Sequence, residues 1–302
     1  MPITNQNFKL LTIAIPTYNR AKVLNNCLKS IFCQIKGLEK YIDVMVSDNN
    51  SEDTTSKIVK AYINDGYKII YNKNKNNIGM DMNFRYCFNN ARTKYIWILG
   101  DDDYILNGSL IDIIKILKEN NFGLLFLETR KLGDDNLKIY ENPSSLLLDL
   151  SYYITFISSS IVRTDHISRV NFEKYRGSYL NYLQVYIDGI FLNQINAKYN
   201  KLTMSISNDL ETTGGYNVFT VFVKNYIKIL KDYGNHYPFY YLEIEKFRLL
   251  KFIRPFLLSA LQNKKTNFMN RGYISILFKE YWYLPYFYLM LIYVFIQKLI
   301  KK

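Results

Sequence analysis

The chain has 302 residues and a formal net charge of +13, from 39 basic and 26 acidic side chains. Because 49% of the residues are hydrophobic, the composition excludes a disordered chain and allows one large domain or two smaller ones. The excess of positive charge indicates an anionic partner: nucleic acid, a lipid surface or a phosphorylated substrate. Three cysteines without a C-x-x-C spacing and two distant histidines argue against a zinc site and favour reduced thiols in a cytosolic protein.

The first hundred residues alternate between apolar runs and amphipathic stretches. Runs rich in β-branched and aromatic residues predict buried strands at 10–15, 43–47, 67–71 and 95–99. Apolar residues spaced three and four apart predict helices at 21–34, 54–64 and 83–91. This alternation is typical of a parallel, doubly wound sheet that binds its ligand at the carboxyl ends of the strands.

Polar segments follow all four predicted strands, at residues 16–20, 48–53, 72–79 and 100–103. Because the carboxyl ends of parallel strands meet at one edge of a sheet, these segments are expected to converge on one ligand site. The first strand is not followed by G-x-G-x-x-G, and G-x-x-x-x-G-K-[ST] is absent from the sequence. The sequence therefore supports neither a dinucleotide-binding fold nor a P-loop.

Three consecutive aspartates, Asp101, Asp102 and Asp103, follow Gly100 at the end of the fourth strand. Their charges repel one another, and a bound divalent cation would turn that repulsion into attraction. Carboxylate oxygens are the ligands that Mg²⁺ and Mn²⁺ prefer. A solvated acidic turn before the next helix is the alternative, and the triplet alone leaves both open.

Taken together and in order, four segments resemble the successive motifs of glycosyltransferase family 2. They are Pro-Thr-Tyr-Asn at 16–19, Ser-Asp-Asn-Asn-Ser-Glu-Asp-Thr at 47–54, Asn-Ile-Gly at 77–79 and Leu-Gly-Asp-Asp-Asp at 99–103. Within that family, the stretches at 77–84 and 100–103 are most similar to abequosyltransferase-like enzymes of bacterial surface polysaccharide assembly. The resemblance covers about the first third of the chain and implies the GT-A fold, an α/β architecture with a mostly parallel central sheet flanked by helices.

The resemblance also implies roles for individual residues. It assigns nucleotide-sugar binding to ten positions: Pro16, Thr17, Tyr18, Asn19, Asp48, Asn50, Asn77, Gly79, Asn83 and Asp101. It assigns a Mn²⁺ or Mg²⁺ ion on the donor diphosphate to Asp102 and Asp103. The Asp-x-Asp motif of the family would align its first aspartate with Gly100, so Asp102 is the preferred metal ligand. Many relatives have an arginine before Asn83, where this chain has Met82.

Residues 1–215 are expected to form the catalytic domain, with a nucleotide-binding half at 1–105 and an acceptor half at 106–215. In the acceptor half the pattern predicts a helix at 108–117 and a strand at 122–127, followed by a polar, mobile loop at 131–146. A further strand is predicted at 154–162. Its three serines, Ser158, Ser159 and Ser160, either line an acceptor pocket or pack beneath a helix.

The resemblance implies a catalytic base on a helix downstream of the metal motif, because inverting members use an Asp or Glu there to deprotonate the acceptor. The helix predicted at 179–195 has Asp188 as its carboxylate, which makes Asp188 the candidate base. A solvated or helix-pairing Asp188 is the alternative. Asp209 and Glu211 lie on a glycine-containing loop and are rival candidates.

From residue 216 the chain changes character, and 216–302 is expected to be a helical C-terminal region. Helices are predicted at 218–230, at 240–261 with a kink at Pro255, at 268–279 and at 282–300. The last is nearly long enough to span a bilayer, but its tyrosines, Trp282 and flanking lysines favour the membrane interface. A dimerising or core-packing helix is the alternative, and the oligomeric state is not predicted.

Together these features predict a glycosyltransferase that moves one sugar from a nucleotide-sugar donor to a lipid-linked glycan acceptor by metal-assisted inverting displacement. The process would be bacterial cell-surface polysaccharide, lipopolysaccharide or capsule biosynthesis. The first nine residues lack the apolar core of a signal peptide, and the net charge suits an anionic membrane surface, so the enzyme is expected on the cytoplasmic face of the membrane. A sugar nucleotidyltransferase, and a non-enzymatic module that binds membrane or nucleic acid, are the alternatives; nucleic acid is not the expected partner.

Overall fold

A computed structural model of the chain describes residues 9–130, 136–193, 195–205, 216–262 and 272–300. The chain divides into two compact units. The first comprises Met1–Leu146 and Ile154–Ser207, and the second comprises Leu147–Tyr153 and Asn208–Lys302. The second unit therefore includes a short segment from the middle of the chain. The sequence predicted one boundary, at residue 215, and did not predict this segment.

An eight-stranded sheet forms the centre of the first unit, in the order β3-β2-β1-β4-β8-β6-β9-β7. Its strands are β1 (Leu11–Thr17), β2 (Ile42–Asp48), β3 (Ile69–Lys73), β4 (Tyr95–Ile98), β6 (Leu124–Leu127), β7 (Leu137–Tyr140), β8 (Ser160–Arg163) and β9 (Asn196–Tyr199). A separate antiparallel pair is formed by β5 (Tyr104–Ile105) and β10 (Met204–Ser205). Strands β1 to β4 are mutually parallel, whereas β8 runs antiparallel to β4 and to β6.

The parallel half of the sheet is buried on both faces, which explains why its strands are almost continuously apolar. Alternate residues of β1 point to opposite faces. Leu11, Ile13 and Ile15 pack in one core cluster with residues of helix α1 (Ala21–Phe32). On the other face, the buried Thr12 hydroxyl is 2.7 Å from that of Thr93.

The helices of the first unit flank this sheet. They are α1, α2 (Thr55–Asn64), α3 (Met80–Asn90), α4 (Ser109–Glu119) and α6 (Leu183–Leu192). A further helix, α5 (Pro143–Leu150), contains the point at which the chain is divided between the two units. The predicted strands and helices of the first hundred residues are all present, and no bound is shifted by more than three residues. The α/β fold class predicted from the sequence is therefore confirmed.

Two predictions in the acceptor half are wrong. The stretch at 131–146 is not one polar loop, since β7 and the start of α5 lie within it; residues 131–135 are outside the described part of the chain. Of the strand predicted at 154–162, only residues from Ser160 onward are extended, and the rest forms the 3₁₀ turns Ser151–Thr155 and Ile157–Ser159.

Side chains from other elements explain the lost strand. The Trp97 indole N–H donates to the carbonyl of Ser158 at 2.7 Å. The Tyr186 hydroxyl donates to the carbonyl of Ile157 at 2.8 Å. These backbone acceptors are satisfied by side chains, so the segment is held without a ladder of strand hydrogen bonds.

The second unit is mainly helical. A π-helix (Phe219–Tyr226) leads into α7 (Ile227–Asp232), and the remaining helices are α8 (Tyr241–Leu261), α9 (Tyr273–Tyr281) and α10 (Pro285–Ile300). Helix α8 continues through Pro255, and the helix predicted at 268–279 is observed as α9, with residues 263–271 outside the described ranges. Within the described residues, no helix combines the length and the apolar character needed to cross a membrane.

Helix α6 packs closely against the backbone at Gly123, the residue before β6. A Cβ atom added at Gly123 would lie 2.2 Å from the carbonyl oxygen of Gly189 and 2.5 Å from Cβ of Asn193. A Cβ added at Gly189 would lie 2.5 Å from a methyl carbon of Val162. The two glycines are therefore required by space rather than by backbone conformation.

We expect Gly123→Ala to lower the free energy of unfolding by about 3 kcal/mol, because the new methyl group would meet backbone atoms that cannot move aside. The measurement is the urea midpoint followed by circular dichroism. Gly234→Ala is the matched control, since nothing lies within 4 Å of its Cβ position, and its effect should stay within about 0.5 kcal/mol. Equal midpoints for the two variants would contradict this account of the contact.

Candidate active site

The carboxyl ends of β1, β2 and β4 meet at one edge of the sheet and bring three of the predicted polar segments together. The Thr17 hydroxyl, at the end of β1, donates to Oδ2 of Asp101 at 2.7 Å. The backbone N–H of Asn49, just after β2, donates to the carbonyl of Thr17 at 2.9 Å. Residues that are distant in sequence thus form one polar edge, as the strand order requires.

Asp48 lies at the end of β2 and is fully buried. Its Oδ1 accepts a hydrogen bond from the backbone N–H of Ser51 at 2.7 Å, and its Oδ2 accepts one from the Tyr71 hydroxyl at 2.8 Å. Burial, with a contribution from the neighbouring carboxylate, raises the pKa of Tyr71 to about 12, so the phenol stays protonated as a donor to Asp48. The carboxylate is therefore held in one orientation by β2, its following turn and β3.

The loop before α3 is fixed by asparagine side chains. The Asn49 amide donates to Oδ1 of Asn77 at 2.8 Å, and its own oxygen accepts from the N–H of Ile78 at 3.0 Å. Asn83 is buried and is satisfied within the protein, because it accepts from the Ser47 hydroxyl at 2.6 Å and donates to the Ser47 carbonyl at 2.9 Å. Asn83 thus ties α3 to β2. Asn49 is a further residue of the site, and it was not among the predicted site residues.

The turns after β1 and β2 place two asparagines in the left-handed backbone region, Asn19 at φ 53° and Asn50 at φ 68°. Asparagine tolerates this conformation better than most residues. Asn19 joins the two turns, since its side-chain oxygen accepts from the N–H of Glu52 at 2.7 Å. Beside it, the ring of Tyr18 is 41% exposed, and this leaves an aromatic face open at the edge of the site.

The aspartate triplet is not a solvated acidic turn. Asp101 and Asp103 are 3% and 4% exposed, and Arg20 reaches across from the end of β1. Its Nη1 donates to Oδ1 of Asp101 at 2.7 Å, and its Nη2 donates to Oδ2 of Asp102 at 2.5 Å. Arg20 was not among the predicted site residues, although it directly follows the Pro-Thr-Tyr-Asn segment.

Asp103 is turned towards a different element. It accepts from the Ser158 hydroxyl at 2.5 Å, while the same Ser158 oxygen accepts from the N–H of Gly100 at 2.8 Å. All three serines at 158–160 are fully buried. Ser158 therefore holds Asp103 and Gly100 together through its hydroxyl, and it is too buried to line an open pocket.

The electrostatics of the cluster follow from its burial. Burial raises the pKa of Asp101 to about 7, against the opposing effects of Arg20 and the Thr17 hydroxyl. Burial also disfavours the charged guanidinium of Arg20, but the triplet outweighs this and raises its pKa. One guanidinium faces three carboxylates, so negative charge remains for a further cation to neutralise.

The donor set fits a divalent cation that is shared with a ligand. Among the described residues, no three His, Cys, Asp or Glu side chains are grouped to hold a metal by themselves. Mg²⁺ is commonly bound by one or two carboxylates together with phosphate oxygens and water, so a complete protein cage is not required. Asp102 is suited to such a site, because its side chain is 15% exposed, whereas that of Asp101 is 4% exposed.

Asp188, the predicted catalytic base, lies on α6. Its neighbour Gly189 packs on Val162, and Val162 pairs in the sheet with Ile96 of β4. Asp188 as the catalytic base stays a prediction. Asp209 and Glu211 lie outside the described residues.

The fold and the acidic site at the carboxyl edge of its strands define a protein of the GT-A class. The family model for glycosyl transferase family 2 matches residues 12–191, which is more than half of the chain. The chain therefore belongs to glycosyltransferase family 2.

Two relatives illustrate its place in the family. Abequosyltransferase RfbV of Salmonella typhimurium is 30% identical over 161 residues, covering 53% of this chain and 47% of that protein. GalNAc(5)-diNAcBac-PP-undecaprenol beta-1,3-glucosyltransferase of Campylobacter jejuni is 34% identical over 120 residues, covering 36% of this chain and 35% of that protein. The matched part of the chain thus spans about half the length of these relatives or less.

Solved structures agree on the fold. S. aureus TarS 1-349 gives a TM-score of 0.55 at 18% identity, covering 73% of this chain and 65% of that one. The same protein in complex with UDP gives a TM-score of 0.56 at 16% identity, covering 78% of this chain and 65% of that one. At this level of identity the likeness establishes the GT-A fold and nothing more specific.

We expect Ser158→Ala to destabilise the protein by about 2 kcal/mol, because it leaves the buried N–H of Gly100 and the carboxyl of Asp103 without this hydroxyl. Ser159→Ala is the matched control: Ser159 is equally buried, and its hydroxyl donates to the Phe156 carbonyl within its own turn. Its cost should be nearer 1 kcal/mol. Urea midpoints measure both, and an equal or larger effect at Ser159 would contradict the supporting role of Ser158.

Proposed function

We propose that the protein is a glycosyltransferase that transfers a single sugar from a nucleotide-sugar donor to a glycan acceptor in bacterial cell-surface polysaccharide biosynthesis. The observation that carries the proposal is the aspartate triplet, with Asp101 and Asp103 buried and Asp102 partly exposed, at the carboxyl edge of the sheet in a family 2 chain. Abequosyl- and glucosyltransferases among its relatives support this reaction class.

In the proposed mechanism, the two turns bind the nucleoside. Tyr18 offers its exposed ring for stacking on the base, and Asp48 uses its remaining lone pairs to accept a hydrogen bond from a base N–H. Asn50 and the Asn77–Gly79 loop close the same corner, because Asn49 links the turn to that loop. Asn83 and Thr17 support the site indirectly. Asn83 donates to the backbone carbonyl of Ser47, and Thr17 donates to Asp101.

Asp102, with Asp103 beside it, would hold a Mn²⁺ or Mg²⁺ ion at the donor diphosphate. When bound, such an ion neutralises the phosphate charge and makes the nucleoside diphosphate a better leaving group. Asp101 stays in place through Thr17 and Arg20 and faces the donor. The displacement is proposed to be inverting, as the family resemblance implies. Asp188 on α6 is the base that this resemblance implies.

The acceptor is proposed to be lipid-linked, with the enzyme attached to an anionic membrane surface on the cytoplasmic side. The C-terminal helix α10 supports this, because it exposes a row of large apolar side chains, each between 47% and 76% exposed: Leu289, Ile292, Phe295, Ile296, Leu299 and Ile300. Basic residues adjoin this face. Arg254 stacks on Tyr293 and Lys251 on Phe247, and a groove between α8 and α10 is lined by all four. An apolar face bordered by cations suits an anionic interface.

The metal role is tested by Asp102→Ala, which should lower sugar transfer at least about 100-fold, because the leaving diphosphate loses its cation. Donor turnover with and without Mn²⁺ is the activity measurement. A thermal-shift panel of UDP, GDP, CDP and dTDP, with and without Mn²⁺, separately reports binding and the base preference. Asp65→Asn, at an exposed aspartate after α2, is the control. Full activity in Asp102→Ala would rule out the metal assignment.

Membrane attachment is tested with vesicles of phosphatidylglycerol and phosphatidylcholine. Replacing Leu289, Ile292 and Ile296 together by aspartate should weaken co-sedimentation at least about tenfold, because apolar area and charge complementarity are both lost. Ile111→Asp is the control, since that side chain is 60% exposed on α4 of the first unit. Unchanged binding by the triple variant, or equal binding to neutral vesicles, would contradict attachment through α10.

A further inference from the structure

Arg20 occupies an unusual position for a cation in a site that is to receive a metal ion. Its guanidinium does not form a bidentate ion pair with one carboxylate. It bridges two carboxylates, with Nη1 on Asp101 and Nη2 on Asp102. Arg20 lies in the turn between β1 and α1, and its side chain is 26% exposed. Arg20 therefore already neutralises part of the negative charge that would attract a divalent cation.

The two ends of this bridge are not equivalent. Asp101 is almost fully buried and also accepts from the Thr17 hydroxyl, so its contact with Arg20 is hard to replace. Asp102 has a more exposed side chain, and its Oδ2 accepts from Nη2 of Arg20. The bond between Arg20 and Asp102 is thus the end of the bridge that a competing cation can displace.

On the basis of the proposed function, we infer that Arg20 is an internal counter-ion that couples metal binding to donor binding. A divalent cation and Nη2 compete for the carboxylate of Asp102. Because both are positively charged, they would repel each other if they bound it together. The metal ion alone therefore binds weakly. When it arrives with a nucleoside diphosphate, the released arm of the guanidinium gains a new acceptor, because a planar fork of donors matches phosphate oxygens. Arg20 is in this sense a positioning residue for donor and metal together.

The inference predicts cooperative binding in the wild-type protein: a nucleoside diphosphate raises the affinity for Mn²⁺, and Mn²⁺ raises the affinity for the nucleotide by the same factor. Two titrations measure it without any turnover. Free Mn²⁺ is followed by electron paramagnetic resonance in the presence and absence of the preferred nucleoside diphosphate. Nucleotide binding is followed by calorimetry with and without Mn²⁺.

In Arg20→Met, the affinity for Mn²⁺ without nucleotide should rise at least about fivefold, because Asp102 loses its competing cation. The enhancement of Mn²⁺ binding by nucleotide should shrink in the same variant. Arg20→Lys provides a second test that keeps the positive charge beside the buried Asp101, where methionine risks unfolding the protein. A single ammonium cannot bridge both carboxylates, so the lysine variant should change in the same direction but less.

Arg85→Met is the matched control, since Arg85 forms an exposed ion pair with Glu173, and it should leave both titrations unchanged. Unchanged or weaker nucleotide-free Mn²⁺ binding in both folded Arg20 variants would overturn the inference while nucleotide binding still supports the proposed function. A wild-type protein that binds neither nucleotide nor Mn²⁺ would instead overturn the proposed function, and the role of Arg20 with it.

Discussion

A carboxylate removed from water has to be given hydrogen bonds and opposite charge by the protein, and Asp101 imposes this requirement on the whole site. The structure meets it with Thr17, the last residue of β1, and with Arg20, the residue before α1, because β1 is the neighbour of β4 in the sheet. The same strand order brings the turn after β2 against Thr17. The spatial order of the parallel strands thus decides which loops can form the site, and the buried acid decides how they are joined.

The elements that could be predicted from sequence are those whose burial gives a regular apolar pattern within the element itself. β1 is buried on both faces, and α1 has one buried stripe, so each has an apolar pattern that is visible without its neighbours. The segment at 154–162 has equally apolar residues but a different structure. Its carbonyls are satisfied by Trp97 and Tyr186, which are far away in sequence, and no local pattern contains that information.

The site divides in the same way. Residues within the contiguous motifs, such as Asp48 and Asp101, are where the strand pattern predicts them, at the carboxyl edge of the sheet. Arg20 was missed because its importance comes from a contact across 81 positions, although its place next to a motif was a usable signal. For Asp188 the sequence identified a helix and an acid, but it did not show that Gly189, the next residue, packs against Val162 and the backbone at Gly123. A glycine inside an apolar helical pattern was the available hint of such a close approach.

Charge connects the two halves of the proposed function. The chain carries a net charge of +13, yet its candidate active site holds three carboxylates and a single bridging guanidinium. In the proposed function, a divalent cation, with Arg20 freed from Asp102, would make this negatively charged cluster able to bind an anionic diphosphate. The overall positive charge must then act elsewhere. The cations beside the apolar face of α10 offer one such place, because charge of this kind holds a protein at an anionic surface without taking part in the chemistry.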